Sequence, residues 1–286
     1  MSGPVPSSEL AAEILRASES GPPLVSCTVV SATDAAAVTA GDKLLLRAEG
    51  TTLGGLGGGP LEAAVLEAAH GALNLRDVAT LAFTPDGRSL TGRREVEVAG
   101  EVVEILFEVV EPPSLLLIVG GGHIGRALGE MGAVLGMSVT VIDDREDYAS
   151  VERFPFADHV ICGEIADEVA RFPIDGNTYA VMVSRGHKQD EASLRRVVGR
   201  GAAYIGMIGS ERRTRTVLDH LLLDGVDEEA VKSVFTPIGL DIGAETPEEI
   251  ALTILAEIIL VRRGGSALPM SEHGRVFARL SGGASS

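Results

Sequence analysis

The chain has 286 residues, room for two domains, and carries 41 Asp and Glu against 24 Lys and Arg, a formal net charge of −17. That surplus repels phosphate backbones and anionic headgroups, which excludes nucleic acid and acidic membrane surfaces as partners. Hydrophobic residues make up 45% and aromatics 3%, with no Trp, so a folded chain with a core of Ala, Val, Leu and Ile is expected.

In chain order, Ser7-Ser8 followed by Glu9 to Leu15 reads as a capped amphipathic helix. Met1 to Leu24 has no basic stretch leading into an apolar one, so no secretory signal is expected and the protein reads as cytoplasmic. Leu24 to Val30 and Lys43 to Arg47 read as strands, and Leu61 to Leu73 has helical spacing. Ahead of that helix, Gly54 to Gly59 holds five glycines in six positions. Such a run makes sense as a cradle for a phosphate or flat heterocycle, or as a tight turn from strand to helix. Val78 to Phe83 and Val102 to Val110 are β-rich, and Glu111-Pro112-Pro113-Ser114 is a stiff seam. Residues 1–111 thus read as a small α+β domain. Cys27 and Cys162 form no CxxC, zinc or disulfide pattern; both read as structural, and no metal site is expected.

Beyond the seam, strand and helix alternate. Leu115 to Val119 is a wholly apolar run, as a buried parallel strand requires. A helix over His123 to Leu135 follows, then strands at Ser138 to Ile142, Val160 to Cys162, Tyr179 to Val183 and Tyr204 to Ile208. Further helices are expected over Lys188 to Val198, Glu211 to Leu223, Glu228 to Ser233 and Pro247 to Arg263, the last with Thr246 as its cap. Ile250 to Val261 is apolar on more than one face, so a homodimer is expected; broken by Glu257, it is too short to span a bilayer. The fold class is α/β: a doubly wound parallel sheet of Rossmann type over 115–265, a smaller α+β domain before it, and a flexible tail over 266–286.

Gly120-Gly121-Gly122-His123-Ile124-Gly125 fits G-x-G-x-x-G between a strand and a helix, with Asp143 closing the next strand. Gly120 would allow the tight turn, Gly122 the approach of a phosphate, and Gly125 the close packing of helix on strand, with the helix N-terminus facing an anion. Asp143, followed by Asp144, would accept a ribose hydroxyl and favour NAD over NADP, a preference that Arg145 softens. Ligands of such sheets sit beyond the strands' carboxyl ends. That rule gathers His123 with Arg185, Gly186, His187, Lys188 and Asp190, and with Gly209, Ser210, Arg212 and Arg213, into a cationic hollow for a small anionic ligand. Pro237 to Pro247 is expected to lie over the same edge.

The strings GGGHIGRAL (120–128), VIDDR (141–145), SRGHKQDEASL (184–194), YIGMIGS (204–210) and PIGLDIGAETPEEIA (237–251), with LGGLGGGPLEAAVLEAA (53–69) in the first domain, resemble the XdhC/CoxI family, accessory factors of xanthine dehydrogenase and CO dehydrogenase. The resemblance implies binding of molybdenum cofactor and its delivery to an apo-hydroxylase. The implied partners are the molybdenum hydroxylase, through one of its subunits, and a sulfurtransferase. The chain departs from the family at its cysteines, with Pro60 in the GG-C-x-E loop and Ala99 at the second position. Three readings stay open, the first two being an accessory factor holding molybdenum cofactor or a nucleotide, and an NAD(P)-dependent oxidoreductase with His187 or His123 as acid–base group, oriented by Asp241 or Asp190. A plain interaction module, docking through the acidic surface, is a third.

Overall fold

The structure, a computed structural model, describes residues 5–34, 36–75 and 78–273. The tail expected to be flexible lies outside the described residues from 274 on. The chain forms two compact units, Met1–Pro113 and Ser114–Ser286.

The first unit runs α1 (Ser7–Glu19), β1 (Leu24–Ala32), β2 (Lys43–Arg47), β3 (Thr52–Gly54), α2 (Gly59–Leu75), β4 (Ala79–Phe83), β5 (Ser89–Leu90), α3 (Arg93–Ala99) and β6 (Val103–Val110). Its strands form one antiparallel sheet in the order β3-β2-β1-β6-β4-β5. The two-residue period of a strand sorts side chains between the faces. Val25, Cys27, Val29, Leu44 and Leu46 join Leu61, Val65 and Ala69 of α2, while Leu24 and Leu45 join Leu10 and Ala17 of α1. Both faces are therefore covered, which accounts for three successive leucines in β2. Cys27 is sealed on the α2 side, where burial pushes its thiol up to about 12 and leaves it unreactive.

The second unit runs β7 (Leu115–Val119), α4 (His123–Val134), β8 (Ser138–Asp143), β9 (His159–Cys162), α5 (Ile165–Arg171), β10 (Thr178–Met182), α6 (His187–Val197), β11 (Tyr204–Met207), α7 (Glu211–Leu223), α8 (Glu228–Lys232), β12 (Val234–Phe235) and α9 (Pro247–Arg263). All its strand pairs are parallel, in the order β12-β11-β10-β7-β8-β9. Strand order reverses between β7 and β10, as in the doubly wound dinucleotide-binding arrangement. Leu116 and Ile118 pack on one face against Leu128 of α4 and Ile254 and Leu255 of α9. On the other face Leu117 and Val119 meet Val169 of α5, Leu194 of α6 and Leu221 of α7.

The α9 helix starts with a complete capping box, the Thr246 side chain accepting from the Glu249 backbone while the Glu249 side chain accepts from Thr246. Glu257, a carboxylate within an apolar helix, accepts from the Tyr204 hydroxyl at 2.5 Å and the Gly239 N–H at 3.0 Å. It fastens α9 to β11 and to the loop after β12. No helix connects β8 to β9; a short 3-10 turn, Glu146–Tyr148, stands in its place. Among the described residues no helix is long and apolar enough to cross a membrane.

Candidate functional site

Parallel registry fixes the edge at which the site forms. Val119 pairs with Met182, and Met182 with Met207, so the turns that begin at Gly120, Ser184 and Gly209 leave the sheet side by side. Gly120 has φ +117°, and a Cβ there would lie 2.7 Å from the Ser184 Cα. The first and fourth turns of the sheet are thus pressed together at the switch point.

Each glycine of the fingerprint answers to a particular neighbour. A Cβ on Gly121 would collide with the Tyr148 carbonyl, and one on Gly125 with the Gly120 carbonyl. A Cβ on Gly122 would meet nothing within 4 Å. Gly122 is the N-cap of α4, with no side chain capping it, so the first-turn N–H groups and the positive end of the helix dipole are offered outward. A phosphate oxygen would fit where the missing Cβ leaves room.

Asp143 is 1% exposed and its carboxylate is engaged within the protein. Oδ2 accepts from Gly121 N at 2.8 Å and Arg145 Nη2 at 2.9 Å; Oδ1 accepts from Arg145 Nε at 2.8 Å and Arg145 N at 3.1 Å. Burial raises the carboxyl, but the Arg145 guanidinium and the two backbone N–H groups outweigh it and hold the group below its ordinary range. The acceptor that sequence reasoning offers to a ribose is occupied by Arg145, two residues along. The guanidinium of Arg145 stacks 3.5 Å above the Tyr148 ring. Arg153 donates from Nε to the Gly121 carbonyl at 2.9 Å, and its buried Nη2 has no hydrogen-bond partner. Sequence reasoning missed Tyr148 and Arg153; the only signal was the lack of helical spacing in the segment that holds them.

Asp144 accepts from Gln189 Nε2 at 3.0 Å and lies 3.8 Å from Arg185 Nη2, joining the end of β8 to the β10–α6 turn. Arg185 is exposed, and Gly186 caps α6. His187 opens α6; its side chain lies outside the described residues. Asp190, 3% exposed, accepts from the Ser184 N–H at 3.1 Å, and burial pushes its carboxyl up to about 6. Among the described side chains, the arginines of the expected cationic cluster have different neighbours. Arg185 turns to Asp144, while Arg213 borders a cavity of about 10 Å³ beside Asp190. Arg212 lines a separate recess with Glu211 and Asp219. Gly209 is partly buried and Ser210 is the exposed N-cap of α7. His123, Ile124 and Gly125 lie in the first turn of α4; Ile124 packs toward the core, and the His123 side chain lines a groove of about 770 Å³ with Arg126, Glu130, Leu252 and Ile259. Asp241 is exposed ahead of α9, and among the described side chains no hydrogen bond joins it to His123. Among the described residues no three His, Cys, Asp or Glu gather as around a metal ion.

The glycine-rich turn of the first unit is closed by its own chain. Glu62 Oε2 accepts from Leu56 N at 2.6 Å and Gly58 N at 3.0 Å, while Gly57, Gly58 and Gly59 hold φ of +82°, +74° and +78°. The tight-turn reading is the one seen, with a carboxylate held in the turn. Cys162, expected to be structural, is exposed at the end of β9, because that strand lies at the sheet edge.

Comparison with known proteins places these units. The model of the XdhC Rossmann domain matches residues 116–258, and that of the XdhC and CoxI family matches residues 17–84. An uncharacterised protein of Escherichia coli, YqeB, is 29% identical over 77% of this chain and 40% of its own length. A protein of Bacillus subtilis named as a probable xanthine dehydrogenase subunit is 29% identical over 57% of this chain and 47% of its own. The chain therefore spans less than half the length of either relative. A crystal structure described as a xanthine dehydrogenase from Bacillus halodurans shares the fold, with a TM-score of 0.51 at 20% identity, covering 92% of this chain and 98% of that one. With one family model on each compact unit, the two together covering most of the sequence, the chain belongs to the XdhC and CoxI family.

Proposed function

We propose that the protein is an accessory factor of a molybdenum hydroxylase of the xanthine dehydrogenase or CO dehydrogenase type, and that its Rossmann unit holds molybdenum cofactor by its phosphate for delivery to the apo-enzyme. The observation that carries this reading is the one-sided fingerprint turn. Gly120, Gly121 and Gly125 are pressed against the fold, and Gly122 alone faces open space at an uncapped helix N-terminus. That is the shape and polarity of a phosphate seat. Backbone N–H groups of Gly122, His123 and Ile124 would meet the phosphate, with Arg185 and Gly186 on the facing turn. The family and the name of the Bacillus subtilis relative supply the client class. Pro60 and Ala99 offer no thiol at the family's cysteine positions and Cys27 is sealed in the core, while Cys162 is exposed at the end of β9; we assign sulfur transfer to the cofactor to a separate sulfurtransferase. The oxidoreductase alternative places His123 or His187 beside Asp190 or Asp241, whereas His123 lines the α4–α9 groove and Asp241 is exposed.

The test is equilibrium binding of molybdenum cofactor released from a denatured hydroxylase. Wild-type protein is expected to retain it at micromolar concentration and Gly122→Val to lose it while melting as wild type does. No retention by the wild type overturns the reading.

A further inference from the structure

In doubly wound folds the acidic residue ending the second strand receives the adenosine ribose, and the dinucleotide lies across the switch point from there. Here that residue is Asp143, and its surroundings differ from what a ribose needs. A carboxylate offers about four lone-pair directions. All four of Asp143 are taken, two by the guanidinium fork of Arg145 at 2.8 and 2.9 Å and two by the backbone N–H groups of Gly121 and Arg145. We infer that Arg145 is the specificity-determining residue of the fingerprint site. Its guanidinium stands where a ribose diol would donate, so the site takes a phosphate group and rejects an adenine dinucleotide. The inference rests on the phosphate seat described above and narrows the class of ligand it accepts.

The fork is held from behind. The guanidinium stacks on Tyr148 at 3.5 Å, the Tyr148 carbonyl abuts Gly121, and Arg153 fastens the same segment to the Gly121 carbonyl at 2.9 Å. A ribose would have to displace a charge-assisted, two-point pair with neutral hydroxyl donors, which make weaker bonds to a carboxylate. It would also have to move the β8–β9 segment, which lies directly on the turn. None of these groups stands over Gly122, whose Cβ direction is open. The phosphate seat and the ribose seat are therefore separable: the first is free and the second is filled from within.

The experiment is calorimetric titration of the full chain with pyrophosphate, NAD+ and NADP+, for wild type, Arg145→Met and Arg145→Lys. Met keeps an aliphatic stem against the Tyr148 ring and removes the fork. Lys keeps the charge beside Asp143, so it guards against misfolding, and replaces the fork with a single point. Wild type is expected to bind pyrophosphate and to bind NAD+ no more tightly. Arg145→Met is expected to gain NAD+ affinity by about tenfold or more, with a smaller gain for Lys. Pyrophosphate should be unchanged in both variants, and in Arg145→Met NADP+ should gain less than NAD+, because its 2′-phosphate meets an Asp143 carboxylate that has lost its guanidinium partner. The inference is overturned if the variants bind NAD+ no better than wild type, or if NAD+ and NADP+ gain equally in Arg145→Met. Absence of pyrophosphate binding to wild type would instead defeat the phosphate seat itself, a result distinct from either of these.

Discussion

The two glycine-rich turns of this chain have similar composition and opposite chemistry. Gly54 to Gly59 and Gly120 to Gly125 each lead from a strand into a helix. In the first, the turn closes on itself, with Glu62 reaching back to the Leu56 and Gly58 N–H groups. In the second, the acidic group is Asp143 on the neighbouring strand, which takes one N–H of the turn, that of Gly121, and leaves the helix end beyond it without a side-chain cap. Glycine content alone does not make an anion site. What decides is whether the chain has already supplied an anion to the N–H groups that the glycines bare.

The sharpest break in this comparison is Gly125→Ala. Its methyl would collide with the Gly120 carbonyl, part of a backbone turn with no flexible side chain to give way. We expect a loss of at least about 3 kcal/mol, read as a fall in melting temperature of roughly 10 °C. A melt within about 2 °C of wild type would show that helix and turn are not packed as described.

Next in size is Asp190→Asn, which probes the floor of the site. The folded-state carboxyl is raised to about 6 by burial, above the ~3.9 of an unfolded Asp. Between those values the folded protein holds a proton that the unfolded chain has released. Stability conferred by Asp190 therefore falls as pH rises from about 4 to about 6 and is level above. Asparagine keeps the acceptor for the Ser184 N–H at 3.1 Å and removes the buried charge. The variant should lose that slope and be more stable than wild type at pH 7 by about 2 to 3 kcal/mol. Denaturant melts at pH 4, 5, 6 and 7 check this; parallel curves for the two proteins would refute it.

Much of this was legible in the residues, and the remainder was hidden for a physical reason. Apolar runs such as Leu115 to Val119, alternating with helical spacing, announce a parallel sheet because only a strand buried on both faces is apolar throughout. Thr246-Pro247 with Glu249 announces a helix start because the capping chemistry is local. The two-residue strands β5 and β12 and the seven-residue helices α3 and α5 carry no such signal, being too short to show a period and held by their neighbours. At the site, spacing located Gly120 to Gly125, Asp143 and Ser184 to Asp190 on one edge. It did not show that Asp143 is already paired with Arg145, or Glu62 with its own loop. Those pairings depend on how the chain bends between donor and acceptor, and a list of donors and acceptors is silent about which have met.

Glu62→Ala turns the comparison into an exchange of roles. Removing the carboxylate strips the acceptor from the Leu56 and Gly58 N–H groups, at a cost of about 1 to 2 kcal/mol. If the closed turn differs from the open one only in having its anion built in, sulfate or phosphate should restore part of that loss in the variant and do less for the wild type. Thermal melts across a phosphate series at constant ionic strength separate this from a general salt effect. A phosphate response no larger in the variant than in wild type would show that the turn is shaped for the Glu62 carboxylate alone.

The smallest expected effect on folding is also the most discriminating for function. Gly122→Ala adds a methyl that meets nothing within 4 Å, at a backbone with φ −65° that alanine adopts without strain. Folding stability should stay within about 0.5 kcal/mol of wild type. The same methyl projects into the space at the N-terminus of α4 that a phosphate would occupy, so pyrophosphate affinity should fall by about tenfold or more. Gly125→Ala and Gly122→Ala then form a pair three residues apart in one turn, the first losing stability and the second losing ligand. Equal pyrophosphate affinity for Gly122→Ala and wild type would mean that the anion is held somewhere other than the mouth of this turn, whatever the fold around it.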